Sequence, residues 1–302
     1  MVSLTRYKDR AAITVESPAL RATLLPNDGA KMASLIDRRT GKELLAVKDT
    51  EEYGVLTADG SYVDSECSAF DDMFPTIDPY TPSAGRYAGV TYPDHGEMCR
   101  TEFEASVQTN SVTLTASSRL FAVSCQKTVS ACEDGSILID YSYQNSGDED
   151  FPFIWAGHVM LKGEDGMRLY TPFADDAKTE MIFATEGYDA TVLPKDVLMG
   201  FEPGIGAAYK FYYLDKMSEG RFGVGYKDGR MLTFEFDKEK LPYLGVWLNN
   251  GEFQGIYNIA PEPCTAPFDA PDKAASRGYT SVIPAGDKFE FSIKISINHK
   301  GE

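Results

Sequence analysis

The segment KFEFSIKISINHK, residues 288–300, alternates between apolar and polar side chains over eleven positions. The apolar side chains share one face of an extended chain: Phe289, Phe291, Ile293, Ile295 and Ile297. Successive side chains of a β-strand point to opposite sides of the sheet, so this period of two predicts a strand that is buried on one face and hydrated on the other.

Other segments repeat this alternation or join two alternating arms through a turn. SILIDYSYQN (136–145) has the same pattern and ends in the turn sequence NSGDED (145–150). GYKDGRMLTFEF (225–236) has an Asp-Gly pair between two alternating arms, which predicts a β-hairpin. LIDRRTGKELL (35–45) has the pattern of a second hairpin.

Helical periodicity is nearly absent from the chain. The least strand-like segment, residues 177–201, is predicted to form one short helix or a long loop. A chain of 302 residues suggests two domains by length alone, but all-β domains can run past about 200 residues and no linker or repeat interrupts this sequence. We therefore predict one domain over residues 1–302 with an all-β fold, a large antiparallel β-sandwich with little helix.

Charge and composition exclude several classes of partner. A formal charge of −17 argues against binding to nucleic acid or to an anionic membrane surface, since both require a positive patch. No apolar run is long enough to span a membrane, and the N-terminus lacks the apolar core of a signal peptide. The five cysteines are odd in number and form no C-x-x-C motif, which indicates reduced thiols and a cytoplasmic location.

Two side chains stand out because of their sequence surroundings. His158 lies in the apolar run PFIWAGHVML, and the chain has only two other histidines, His95 and His299. A lone imidazole in an apolar strand is usually a core residue, so His158 becomes a catalytic candidate only with a partner. Glu262 stands between two prolines, each of which restricts the backbone, so we predict a pre-oriented general base on a loop rim.

Three further residues are candidate ligand contacts, although each also has an ordinary structural interpretation. In YLGVWLNNG (243–251), Trp247 shares a face with polar neighbours, so its ring can stack on an apolar ligand face. Asp72 lies in DDMFPTIDPY and Arg100 ends PDHGEMCR. No H-E-x-x-H motif or third nearby histidine is present, so a catalytic zinc ion is not expected.

Six motifs, in this order, resemble the aldose 1-epimerase (galactose mutarotase-like) family. The resemblance extends from about Ile13 to Ile297 and rests on DGAKMASLIDRRTGKELL, DDMFPTIDPY, PDHGEMCR, FPFIWAGHVML, LPYLGVWLNNG and APEPCTAP. The family fold is a large β-sandwich of the supersandwich type, in agreement with the strand pattern.

The resemblance implies a sugar 1-epimerase that interconverts α and β anomers through ring opening. Glu262 corresponds to the family's base, His158 to the acid at the ring oxygen, and His95 to a second histidine that orients the sugar or stabilises ring opening. Trp247, Asp72 and Arg100 are then expected to line the sugar site. No metal or organic cofactor is implied, and the chain is expected to act as a monomer or homodimer on a small sugar.

Several alternatives stay open at this point. The sugar, its phosphorylation and the assignment of the acid to His158 or His95 are not determined by the motifs. A non-catalytic carbohydrate-binding protein would keep the fold and the aromatic platform while losing a catalytic partner. A glycan hydrolase or lyase would use paired carboxylates such as Asp72 and Glu262.

Overall fold

The computed structural model describes residues 1–185 and 206–301, and these residues are almost entirely strand and loop. The strands in chain order are β1 Val2–Tyr7, β2 Arg10–Glu16, β3 Leu20–Leu25, β4 Lys31–Asp37, β5 Phe70–Met73, β6 Glu104–Val107, β7 Ser111–Ser117, β8 Val123–Ala131, β9 Ile137–Asn145, β10 Phe151–Pro152, β11 Ala156–Val159, β12 Leu161–Lys162, β13 Arg168–Tyr170, β14 Thr179–Ala184, β15 Ala207–Tyr213, β16 Arg221–Gly225, β17 Met231–Phe236, β18 Tyr243–Asn250, β19 Tyr257–Cys264, β20 Val282–Ile283 and β21 Lys288–Asn298. The helical elements in this part of the chain are a 3₁₀ turn, Met98–Arg100, and the short helix α1, Pro271–Ser276.

Two large antiparallel sheets form the sandwich. Over the described residues, the first sheet has the strand order β1-β2-β3-β4-β5-β11-β19-β18-β15-β14, with β12 also paired to β19. The second sheet has the order β13-β16-β17-β21-β9-β8-β7-β6, and β10 pairs with β20 separately. One face of each sheet contributes to a shared buried cluster, with Leu24 and Val246 from the first sheet and Ile139 and Ile293 from the second.

The alternating segments form the strands that they predict. In β21, Phe291, Ile293, Ile295 and Ile297 are buried, and polar residues alternate with them. The hairpin predicted over residues 225–236 joins β16 to β17, and Gly229 has the positive φ of 88° that a tight turn requires. These predictions are confirmed.

Two local predictions differ from the structure. The segment 35–45 turns as expected, but its returning arm makes isolated bridges, from Glu43 to Ile36 and from Leu45 to Leu161, and forms no strand. The expectation of a helix or loop over residues 177–201 is wrong at its start, where Thr179–Ala184 forms β14. Pairing with β15 stabilises that strand despite its mixed pattern. The rest of that segment, from residue 186, lies outside the described residues.

The face of the first sheet that points away from the second sheet carries the residues of interest. Strands β15, β18 and β19 are neighbours, and their register aligns Tyr212 with Gly245 and Gly245 with Glu262. Trp247 is aligned with Lys210 on one side and with Ala260 on the other. Side chains two residues apart share a face of a strand. The row of Tyr212, Gly245 and Glu262 therefore faces the same side of the sheet as the row of Lys210, Trp247 and Ala260.

Candidate active site

A cavity of about 450 Å³ opens on this outer face of the first sheet. Strands β11, β14, β15, β18 and β19 contribute to its floor, and loops on both sides of β5 and after β18 and β19 form its walls. Its charged and titratable lining residues, among those described, are Tyr62, Asp64, Cys67, Asp78, His95, His158, Lys210, Glu262 and Asp269. Three of the residues proposed from the sequence as catalytic therefore lie in one cavity, although 63 and 104 positions separate them along the chain.

Glu262 lies in a central strand, and the predicted position on a loop rim is wrong. Its side chain is completely buried in β19, which pairs with β18 over its full length. The other edge of β19 is paired at Ile259 and again at Cys264, but is unpaired between them among the described residues. Proline has no N–H to donate, so Pro261 and Pro263 are tolerated where that edge of the strand is unpaired.

His158 reaches the cavity by strand alternation in β11. Its neighbours Gly157 and Val159 point towards the sandwich core, while His158 and Met160 line the cavity. His158 Nε2 lies 2.9 Å from Glu262 Oε1. This distance is that of an ion pair, but the ring N–H and the carboxylate are not aligned for a hydrogen bond.

The polar atoms of this pair are buried without satisfied hydrogen bonds. Both ring nitrogens of His158 and both carboxylate oxygens of Glu262 have no aligned hydrogen-bond partner among the described residues. Buried polar atoms in native proteins are nearly always hydrogen-bonded, and the exceptions need an explanation. Hydroxyl groups of a bound ligand would supply the missing partners.

His95 stands at the cavity wall in a conformation that the surrounding loop enforces. Its φ of 58° lies in the left-handed region, and its ring stacks on Tyr62 with centroids 4.0 Å apart. A Cβ at Gly96 would lie 2.3 Å from the carbonyl oxygen of Phe74, so glycine is required there. The His95 ring centroid is 5.3 Å from that of His158.

Asp94 determines how His95 faces the cavity. Asp94 Oδ1 lies 2.8 Å from His95 Nδ1. Burial lowers the pKa of His95, with His158 and Lys210 adding to the effect, and the Asp94 carboxylate only partly opposes it. A neutral imidazole that donates from Nδ1 to Asp94 has Nε2 as an acceptor, which suits a ligand hydroxyl.

Lys210 and Asp269 complete the charged cluster, and neither was proposed from the sequence. Lys210 Nζ lies 3.0 Å from Glu262 Oε2 and 2.8 Å from Asp269 Oδ1, and Tyr212 donates a hydrogen bond of 2.7 Å to Asp269. Lys210 interrupts the apolar strand AAYKFYY much as His158 interrupts its own strand, so the same signal was available. Asp269 follows β19 in a loop, and nothing in its local sequence distinguishes it.

The cluster keeps Glu262 ionised despite its burial. Burial alone would raise the pKa of this carboxyl group, but the charges of His158 and Lys210 outweigh that effect and lower the pKa to about 2. Lys210 is affected in the opposite sense: burial lowers its pKa, while Asp269 and Glu262 raise it further than burial lowers it. The cavity floor therefore holds a carboxylate and an ammonium group at neutral pH.

Trp247 lies in the cavity as the sequence predicts, and the structure surrounds it with aromatic side chains. Its ring centroid is 5.7 Å from Phe183 and 5.5 Å from Phe253, and all three residues line the cavity. Leu244 and Leu248 point the other way into the sandwich core, which confirms the predicted division of faces in β18.

Asp72 does not reach the cavity. Alternation in β5 sends Asp71 towards the cavity side and Asp72 into the core between the sheets. Asp72 accepts hydrogen bonds from Lys127 Nζ at 2.6 Å and from Tyr141 at 2.7 Å. These contacts satisfy its carboxylate as part of the sandwich core, so we do not propose it as a sugar ligand.

Arg100 also lies outside the cavity lining, in a supporting position. Its guanidinium group donates to five backbone carbonyl oxygens, those of Thr57, Ala58, Gly60, Asp94 and Gly96. Two of these carbonyls flank His95. Arg100 therefore ties the His95 loop to a neighbouring loop, and its donors are not free for a ligand.

Solved structures share this fold, whereas no protein-family model and no curated protein sequence matches the chain. A proposed aldose 1-epimerase from Klebsiella pneumoniae superimposes with a TM-score of 0.71 at 14% identity, over 99% of this chain and 83% of that chain. A galactose mutarotase-like protein from Lactobacillus casei gives 0.64 at 17% identity, over 95% of this chain and 100% of that one. Another galactose mutarotase-like protein, from Clostridium acetobutylicum, gives a TM-score of 0.64 at 13% identity, over 99% of this chain and 98% of that chain.

These likenesses establish the fold, which is the galactose mutarotase-like β-sandwich. Within residues 1–185 and 206–301, no group of three or more His, Cys, Asp or Glu side chains is arranged to hold a metal ion. No helix in the same residues is long and apolar enough to cross a membrane.

Proposed function

We propose that the protein is a sugar 1-epimerase, which interconverts the α and β anomers of a cyclic aldose. One observation carries the proposal: His158 Nε2 and Glu262 Oε1 lie 2.9 Å apart on the cavity floor. The two oxygens of a hemiacetal, the C1 hydroxyl and the ring oxygen, are bonded to the same carbon. An acid and a base this close together can serve both oxygens of one such carbon.

Glu262 is the base and His158 is the acid in this reaction. Glu262 takes the proton of the C1 hydroxyl while an imidazolium at His158 gives a proton to the ring oxygen. The bond between C1 and the ring oxygen breaks, and C1 becomes an aldehyde. After rotation about the C1–C2 bond, the new hydroxyl attacks the other face of the aldehyde, and both protons return to their donors.

Three neighbouring residues support this chemistry. Neutral His95 accepts a hydrogen bond from a sugar hydroxyl through Nε2 and so orients the ring. Lys210, 3.0 Å from Glu262 Oε2, is close enough to stabilise negative charge that develops on the C1 oxygen. Trp247 offers its ring to an apolar face of the sugar.

The sugar in this proposal carries no phosphate. Lys210 is the one lysine or arginine among the described lining residues, and two carboxylates already contact it. Asp64 and Asp78 add negative charge to the lining. The negative electrostatic potential of the lining therefore repels a phosphate dianion.

The alternative functions differ in what they require of the cavity. The hydrolase or lyase pairing of Asp72 with Glu262 has no support, because Asp72 is bonded to Lys127 and Tyr141 in the core. A non-catalytic sugar-binding protein requires the same cavity but no acid-base pair, so activity separates it from an epimerase.

The test is the optical rotation of freshly dissolved α-glucose and α-galactose. Wild type is expected to accelerate the change for at least one of them, and Glu262→Gln is expected to lose about 10²- to 10⁴-fold in rate. Glu290→Gln, the same substitution on the exposed face of β21, is the matched control and should behave as wild type. Full activity in Glu262→Gln would overturn the proposed base, and sugar binding without acceleration would favour the non-catalytic alternative.

A further inference from the structure

The cavity extends beyond the acid-base pair to an aromatic end. Phe183, Trp247 and Phe253 contact one another there, with ring centroids between 5.5 and 6.0 Å apart. None of the three is fully buried, and 41% of Phe183 is exposed. A cluster of exposed rings in a cavity leaves apolar surface in water that the face of a ligand can cover.

Hydrogen bonds between side chains and the backbone hold this aromatic end in place. The buried side chain of Asn249 donates to the carbonyl oxygen of Phe253 at 2.9 Å and accepts from the Phe253 N–H at 3.0 Å. The next residue, Gln254, donates from its side chain to the carbonyl oxygen of Val63 on the opposite wall. The turn that carries Phe253 is therefore fixed at both ends.

A polar group without a partner lies at the same end. Asn258 is aligned with Asn249 across β18 and β19, lines the cavity and is only 2% exposed. Its side-chain oxygen has no hydrogen-bond partner among the described residues. A buried acceptor without a donor costs free energy, which a ligand hydroxyl would recover.

The distance between the two ends of the cavity is greater than the length of one pyranose ring. Asn258 precedes Glu262 by four residues in β19, which at about 3.3 Å per residue separates their backbones by about 13 Å. Trp247 is aligned with Ala260, midway between them. The cavity volume of about 450 Å³ equals that of roughly fifteen water molecules at about 30 Å³ each. Bonded atoms lie closer together than water molecules, so a single hexopyranose, with about a dozen non-hydrogen atoms, leaves part of this space open.

We propose that the aromatic end binds a second pyranose ring, and that the substrate is a reducing disaccharide or the reducing end of an oligosaccharide. This inference rests on the proposed function for the position of the reacting end. The reacting ring lies between Glu262 and Trp247, and its C1 must stay free. The second ring is therefore attached on the far side of the first and stacks against Phe253 and Phe183. One of its hydroxyl groups donates a hydrogen bond to the side-chain oxygen of Asn258.

The test compares the mutarotation of glucose with that of maltose, cellobiose and lactose, which all carry glucose at the reducing end. At least one disaccharide is expected to exceed glucose in kcat/KM by about tenfold, the ratio that one stacked ring supplies. Phe253→Ala and Asn258→Ala should each lower this ratio at least severalfold. Tyr170→Ala removes an exposed aromatic ring from the second sheet and should leave the ratio as in wild type.

The outcomes separate this inference from the proposed function. Acceleration of glucose with no preference for any of the three disaccharides overturns the second-ring site and leaves the epimerase proposal intact. If no sugar is accelerated, the affinities of the Glu262→Gln variant for glucose and for the disaccharides test the second-ring site. The fluorescence of Trp247 reports this binding, since the other tryptophan, Trp155, is buried in the core. Tighter binding of a disaccharide than of glucose supports the second-ring site even then, and equal affinities overturn it.

Discussion

His158 Nε2 lies 2.9 Å from Glu262 Oε1, and neither side chain makes an aligned hydrogen bond within the described part of the chain. Buried polar groups are rarely left without aligned hydrogen bonds, and a bound ligand or water can complete those of this pair. Burial also strengthens the interaction of each group with a substrate oxygen. A site that leaves its acid and base unsatisfied is suited to a ligand that supplies two adjacent oxygens.

Lys210 should set the pH range over which Glu262 works as a base. Glu262 accepts a proton only when ionised, and its pKa of about 2 keeps it ionised across the neutral range. Lys210→Met removes one of the two positive neighbours while burial still raises the pKa. The pKa of Glu262 should therefore rise, and the acid limb of the kcat/KM profile should move up by about one pH unit or more.

The pH profile of mutarotation measures this effect. Lys294→Met makes the same substitution at an exposed site on β21, where Lys294 pairs with Asp134, and should leave the acid limb where it is. An unchanged acid limb in Lys210→Met would contradict the role of its charge, whatever the change in overall rate.

Gly245→Ala should disturb the base through a single methyl group. A Cβ at this position would lie 2.8 Å from a ring carbon of Tyr212 and 3.2 Å from Glu262 Oε2. Displacement of a catalytic group by about 1 Å can cost about 10²-fold, so we expect a loss of kcat/KM of that size. Overpacking should also lower the free energy of unfolding by about 1–3 kcal/mol.

The control for Gly245→Ala is Gly223→Ala in β16 of the second sheet. The added methyl group there would lie 3.3 Å from the flexible Met231 side chain, far from the cavity. Its activity per folded molecule should match that of wild type. Wild-type activity in Gly245→Ala would mean that the Glu262 carboxylate tolerates displacement.

Asp72→Asn should destabilise the fold without weakening sugar binding. The substitution leaves Lys127 buried without its counterion, and breaking such a pair typically costs about 3–5 kcal/mol. Thermal unfolding should show the loss, and KM measured well below the lowered Tm should stay at the wild-type value. The double variant Asp72→Asn/Lys127→Met should recover part of the stability, because no buried charge is then left unpaired. A raised KM with normal stability would restore the sequence-based assignment of Asp72 to the sugar site.

A phosphate on the sugar should weaken the reaction. Lys273 and Arg277, which lie beside the cavity, already pair with Asp78 and Glu180. At low ionic strength, the kcat/KM for glucose 6-phosphate is therefore expected to be at least about tenfold below that for glucose. Added salt should reduce this difference, because it screens the repulsion between the phosphate and the cavity carboxylates. Optical rotation at two salt concentrations measures both effects. A preference for the phosphorylated sugar would contradict the assignment.

Local pattern and motif order account for the part of the site that could be predicted. His95, His158, Glu262 and Trp247 were identified from unusual surroundings and from the order of six motifs, and all four lie in one cavity. Lys210 carried the same signal as His158, a charge in an apolar strand, but no partner could be assigned to it from the sequence. Asp269 carried none, because a loop aspartate has the same local sequence whether it binds solvent or a buried lysine.

The sequence by itself determined the clearly alternating strands, such as β9, β17 and β21, and the faces of those strands, because alternation over two residues is a local property of the chain. It did not determine the strand order, so the side of the sheet to which Asp72 points and the identity of its partners were decided only by the tertiary structure. The same holds for Glu262, whose flanking prolines indicate a loop until the edge that they occupy is known to be unpaired. Contacts between residues distant in the chain, such as that of Lys210 with Glu262 and Asp269, depend on which strands become neighbours, and that is a property of the whole fold.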